Sequence, residues 1–260
     1  MSFEFKKVAL GLAIAAASAA HADVLVVKAG GATFQGTGTW SASDGWMAAL
    51  DSLRISASGY GSGTAAFQKD TDGYYTSLTM SAPMQTLTMD FDSLAWQGVG
   101  LKGGLTLTAP AIKQLSSGGS LTVTDIAADL QTKTIYATII GGNGVGTLEH
   151  FALWRFTSLI GTTQYSGFGA YTNDLAGMYL TDVGFNKLSQ ALGLLPQGVM
   201  VMEGAKDYGI IHTAFNATLE CCDVPPAVPE PGSHALWGVG LALLGVVAAR
   251  HPKHKHRELT

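Results

Sequence analysis

Windows of alternating apolar and polar residues recur through the middle of the chain. Leu78-Thr-Met80 leads to Leu87-Thr-Met-Asp-Phe-Asp92, and Leu105-Thr-Leu-Thr108 and Leu121-Thr-Val-Thr124 follow. Thr134-Ile-Tyr-Ala-Thr-Ile-Ile140, Leu148 to Phe156, and Gly209-Ile-Ile-His-Thr-Ala-Phe215 continue the series. A period of two puts one kind of residue on each face of a strand. Turn formers separate the windows at Asp72-Gly73, Ser117-Gly-Gly119 and Gly141-Gly-Asn-Gly144. Many short strands at this spacing predict a mainly β body, an antiparallel β-sandwich or barrel. Helical spacing occurs twice. Ser43 or Asp44 caps a helix carrying Trp46, Ala49, Leu50 and Leu53 on one face, and Thr181 caps a second with Phe185, Leu188 and Leu192 inward and Gly193 as its stop. No repeat of 20–50 residues is evident.

The two ends follow a different pattern. Lys6 and Lys7 precede Val8–Ala20, a run of apolar and small residues broken only by Ser18. Ala20-His21-Ala22 has the small-x-small form of a signal-peptidase site, which makes residues 1–22 a signal peptide and Asp23 the first mature residue. At the other end, residues 224–234 form a Pro-rich linker containing Pro229-Glu230-Pro231. Proline fixes φ and removes backbone donors, so this segment is a semi-rigid, extended spacer. Residues 235–249 are 15 apolar or glycine residues. As a helix they measure about 22 Å, short of the roughly 30 Å hydrocarbon core. Trp237 suits an interface, and Arg250, Lys253, Lys255 and Arg257 in the basic tail 250–260 extend the span by snorkelling. The expected topology is a signal helix, an extracytoplasmic body over residues 23–223, a transmembrane helix and a cytoplasmic tail.

These three C-terminal parts together resemble a PEP-CTERM sorting signal, the bacterial signal handled by exosortases. The match rests on Pro229-Glu230-Pro231, the Gly- and Leu-rich apolar segment and the basic cluster. It departs from the usual pattern where His251, Pro252, His254 and His256 interrupt the basic end. The resemblance implies a Gram-negative source, export through the Sec translocon, cleavage by signal peptidase, transient residence in the cytoplasmic membrane, and processing near Pro-Glu-Pro by a transpeptidase-like cysteine protease. It also implies an association with exopolysaccharide and biofilm. A second, looser similarity covers Leu175-Ala-Gly-Met-Tyr-Leu-Thr181 and continues through Gly184, Leu188, Leu192 and Gly193. This segment is similar to the end of an HtaA-type haem-transport domain, but no motif locates that family's haem tyrosine, so no binding residue carries over.

Charge narrows the partners. Residues 23–231 hold nine basic and seventeen acidic side chains, a net charge of −8. An acidic body argues against nucleic acid and against direct contact with anionic lipid. The two cysteines, Cys221 and Cys222, are adjacent and close to the linker, so no disulfide framework or CxxC metal spacing exists. Neighbouring Cα atoms lie closer than an ordinary disulfide requires. The readings left open are two thiols, a strained vicinal bridge, a cross-link to a partner, or a redox or metal role.

Catalytic chemistry has little support. Gly98-Val-Gly100-Leu-Lys-Gly103 has the dinucleotide-loop spacing but runs into an alternating strand, so a Gly-rich hairpin accounts for it better. Asp70-Thr-Asp72-Gly73 begins like a calcium loop, yet Tyr74 and Ser81 stand where ligands belong, and a turn fits better. Asp90 and Asp92 share a strand face, as part of a cation site or simply in solvent. His150 and His212 are the histidines of the body over residues 23–223, and no Gly-x-Ser-x-Gly elbow accompanies them. Trp40, Trp46, Trp96 and Trp154 form a sugar platform if exposed together and ordinary core if buried. The leading expectation is a non-enzymatic envelope or biofilm-matrix protein without cofactor or metal. The alternative is an extracytoplasmic module binding haem or polysaccharide, with a secreted hydrolase last.

Overall fold

A computed structural model describes residues 24–28 and 34–217. The signal peptide with Ala20, Ala22 and Asp23, the adjacent cysteines, the linker, the apolar segment and the basic tail lie outside the described residues.

The elements in chain order are β1 (Val24–Lys28), β2 (Phe34–Ser41), α1 (Asp44–Ser52), β3 (Ser56–Tyr60), β4 (Thr64–Lys69), β5 (Tyr75–Asp90), β6 (Trp96–Leu101), β7 (Gly104–Ile112) and β8 (Ser116–Asp129). They continue with β9 (Thr134–Gly141), β10 (Gly146–Arg155), β11 (Ser158–Gly161), β12 (Gly169–Ala176), β13 (Tyr179–Leu180), α2 (Asp182–Ala191), α3 (Pro196–Glu203) and β14 (Ile210–Ala217). All pairings are antiparallel and join into one sheet, ordered β11-β12-β14-β2-β5-β6-β8-β9-β10-β13. The sheet curls into a half-barrel. The body is therefore mainly β, as the alternation predicts, and takes the barrel-like form as one curled sheet.

Two long strands make the curl. β5 runs 16 residues and changes partners midway: β4 pairs up to Ser81 and β6 begins at Met84. Pro83 sits at that change of partner, where a strand tolerates a missing N–H. The windows at Leu78 and Leu87 thus belong to a single strand, and Asp92 lies beyond its end. β8 does the same, pairing with β7 over its first half and with β6 over its last residues. Between these stretches a bulge at Asp125, with φ +49°, breaks the ladder to β9 and bends the strand. The expected Gly98–Gly103 hairpin does not form, because β6 and β7 both pair with β8 and not with each other.

One face of the sheet carries the core. Phe34, Leu87, Leu121, Ile135, Ile139 and Leu153 are all fully buried. Each such side chain contributes about 1.5–3 kcal/mol of hydrophobic stabilisation. Helix α1 lies against β5 and α3, and α2 lies against β8, β9 and β10. Both expected caps form: Ser43 Oγ accepts from Trp46 N at 3.1 Å and Thr181 Oγ1 from Gly184 N at 2.9 Å. Leu188 and Leu192 point inward as expected, whereas Phe185 is only half-buried. Gly193 follows α2 at φ +63°, the left-handed stop that glycine adopts without strain.

Two expectations need correction. A third helix, α3, joins the two foreseen; its sequence mark is Pro196 at the first turn, where proline's missing N–H has no intrahelical partner to lose. Ser117-Gly118-Gly119 is not a turn but the start of β8, and the turn falls at residues 113–115 with Gln114 at φ +68°. A Cβ on Gly119 would sit 2.2 Å from the Ala191 carbonyl. Glycine is there because the end of α2 closes down on the strand.

Candidate functional site

The four tryptophans of the body do not form a platform. Trp40, Trp46 and Trp96 are buried, and Trp154 is half-buried with its enclosed indole nitrogen unpartnered among the described residues. Trp40, Trp46 and Trp154 line an apolar interior cavity of about 30 Å³ together with Leu121, Leu153 and Leu188. That is room for about one water molecule. Trp96 stands perpendicular to the rings of Tyr165, Tyr171 and Phe215 at centroid distances of 5.5–6.0 Å. Its buried indole N–H has no hydrogen-bond partner among the described residues.

The acidic candidates are engaged in turns. Asp70 Oδ1 accepts from the amides of Asp72 and Tyr74 at 2.9 Å each, closing the β4–β5 turn with Gly73 at φ +87°. Asp90 Oδ1 accepts from Ser93 Oγ at 2.6 Å and Ser93 N at 2.7 Å. These bonds favour the carboxylate and hold Asp90 below the usual range. Asp92 is exposed in the same turn. Among the described residues no three acidic, histidine or cysteine side chains come together as a metal site.

The two histidines fall far apart in role. His150 occupies the extra position of a bulge in β10 at φ +45°, where the register slips between Leu148 and Phe151. The bulge turns its ring onto Tyr136, stacked at 4.2 Å and 5°. His212 faces outward on β14 with Asp174 directly opposite on β12; Nδ1 and Oδ1 are 2.5 Å apart. The row continues across the sheet through Thr39 on β2 to Ser81 on β5, whose hydroxyls are 2.9 Å apart. An Asp–His pair beside hydroxyls has the composition of a hydrolytic triad. Here the Ser81 hydroxyl bonds Thr39, and no hydrogen bond joins His212 to a hydroxyl among the described residues. Both members of the pair are substantially exposed, at 49% and 36%, so water weakens their attraction. Asp174 is the partner that sequence reading missed. Its strand alternates weakly, and 38 residues separate it from His212.

The folded body is thus a curled antiparallel β domain with polar residues held in turns and cross-strand pairs. Residues 227–251 match the family model of the PEP-CTERM protein-sorting motif. The segment includes Pro229, Glu230, Pro231 and Arg250, and ends before Lys253, Lys255 and Arg257. The motif marks an exported protein, anchored in the membrane as a precursor and processed by an exosortase toward the cell surface. No curated protein and no solved structure matches the chain, and the HtaA-type similarity is not shown by these comparisons.

Proposed function

We propose that the chain is an envelope or biofilm-matrix protein whose β body serves a structural or interaction role without catalysis. The observation that carries this reading is the sorting motif at residues 227–251, placed directly after a separately folded body. The body's chemistry supports it: Asp70, Asp90 and Asp129 accept hydrogen bonds from their own turns, and His212 is paired on an open sheet face. A net charge of −8 over residues 23–231 favours solubility outside the cell and disfavours nucleic acid.

In this reading Sec export and signal-peptidase cleavage after Ala22 deliver the body across the membrane. The apolar segment 235–249 holds it there, with Arg250, Lys253, Lys255 and Arg257 on the cytoplasmic side. Cleavage near Pro229-Glu230-Pro231 then releases or transfers the body to the surface and its polysaccharide. Replacing Pro229, Glu230 and Pro231 with alanine in the producing bacterium tests the reading. The variant accumulates uncut in the membrane fraction, whereas normal processing of the variant would refute it.

A further inference from the structure

Several acidic side chains at the surface already have backbone partners. Asp51 accepts from the Tyr75 amide, Asp129 from the Gln131 and Thr132 amides, and Asp207 from the Gly209 amide. One cleft differs. It has a volume of about 370 Å³, within the range of small-ligand sites, and lies where β13 and the first turn of α2 meet the chain after α3.

Tyr208 belongs to this cleft and is only 4% exposed. Its ring packs on Trp46 at 4.6 Å and its carbonyl accepts from Trp40 Nε1, so the side chain is fixed. Its hydroxyl makes no hydrogen bond with the described residues. Burial alone pushes it up to about 12, without any bonded neighbour to offset the effect. The hydroxyl is not sealed from solvent, so it offers a ligand in the cleft a fixed donor and acceptor. Asp182, Asn186, Glu203 and Lys206 also line the cleft, and their side chains bond no other described residue.

Leu180, Thr181 and Ala205 complete the walls together with two aromatic rings. Tyr179 is 40% exposed and Phe185 is half-buried. Flat rings beside carboxylate, amide and hydroxyl groups suit a ligand with an apolar C–H face and a rim of hydroxyls. Charge excludes the acidic version. Two carboxylates face one ammonium, and Asp182 already compensates the positive end of α2 while Thr181 caps it.

The geometry points to this cleft as a binding site for an uncharged sugar of a polysaccharide, with Tyr179 and Phe185 against the ring and the Tyr208 hydroxyl and Asn186 amide bonding its hydroxyls. The site gives the interaction role a ligand class and rests on surface delivery only for access to that ligand.

The test is calorimetric titration of the secreted, processed protein with cellohexaose, mannohexaose and chitohexaose, with polygalacturonate as the acidic comparison. At least one neutral oligosaccharide titrates, and polygalacturonate does not. Tyr208→Phe keeps the ring packing and weakens binding about fivefold, in the range of one lost hydrogen bond. Tyr179→Ala weakens it about tenfold, and both variants keep the wild-type thermal midpoint. The inference is overturned if no neutral oligosaccharide titrates, if polygalacturonate binds more tightly, or if both variants bind as wild type. A chain that is cut and delivered but binds no sugar loses this site and keeps its sorting. An uncut chain that binds does the reverse.

Discussion

Thr181 ties the second helix to the sheet through one hydroxyl, and its removal has a calculable cost. Oγ1 accepts from Gly184 N at 2.9 Å and donates to the Ala152 carbonyl at 2.8 Å. Thr181→Val keeps the shape and β-branching and removes both bonds. Loss of an N-cap costs about 1 kcal/mol. The tie to β10 is a part-buried hydrogen bond worth about 1 kcal/mol more. The variant should therefore lose about 2 kcal/mol, or about 4–8 °C in thermal midpoint for a body of this size. Thr181→Ser retains the hydroxyl and should stay within about 0.5 kcal/mol of wild type. Urea unfolding followed by far-ultraviolet circular dichroism gives the comparison, with an unchanged slope showing that the denatured state is unaffected. A Thr181→Val midpoint equal to wild type would refute the argument that this hydroxyl couples α2 to the sheet.

Other expectations follow from the same structure. Gly104→Ala should prevent native folding, because its Cβ would lie within van der Waals overlap of the Val123 carbonyl, 1.8 Å away, in the middle of β8. Gly73→Ala, in an open turn at φ +87°, should fold with a loss of about 1 kcal/mol; yields and circular dichroism of the two variants compare them. The Asp90 carboxyl is depressed below 3.8 in the folded state, so its stabilising effect is present above that value and lost as pH falls through the folded pKa. The gap in thermal midpoint between wild type and Asp90→Asn should therefore close in acid; a gap unchanged down to pH 2 counts against the Ser93 bonds as its cause. N-terminal sequencing of the exported protein should begin at Asp23, and a bulky residue in place of Ala22 should block that cut.

The sequence alone determined what depends on neighbours along the chain. A capping hydroxyl reaches an amide three residues on, so Ser43 and Thr181 mark α1 and α2 wherever the helices later pack. Alternation marks β7 and β9 because one face of each meets the core. The sorting motif at residues 227–251 is contiguous as well, which is why the strongest functional statement about the chain needs no fold. The tertiary structure decided everything that joins distant residues. β2 and β12 were not foreseen because their glycines, alanines and polar residues blur the alternation. Phe34, Trp40, Tyr171 and Leu175 nonetheless bury one face of each. The role of Gly119 depends on Ala191 at the end of α2, more than seventy positions away, and whether the tryptophans are core or platform depends on the curl of the sheet. The pairing of His212 with Asp174 and the place of Tyr208 in its cleft belong to the same class. Contacts between strands and helices far apart in the chain are set by register and curvature, and those are properties of the assembled sheet.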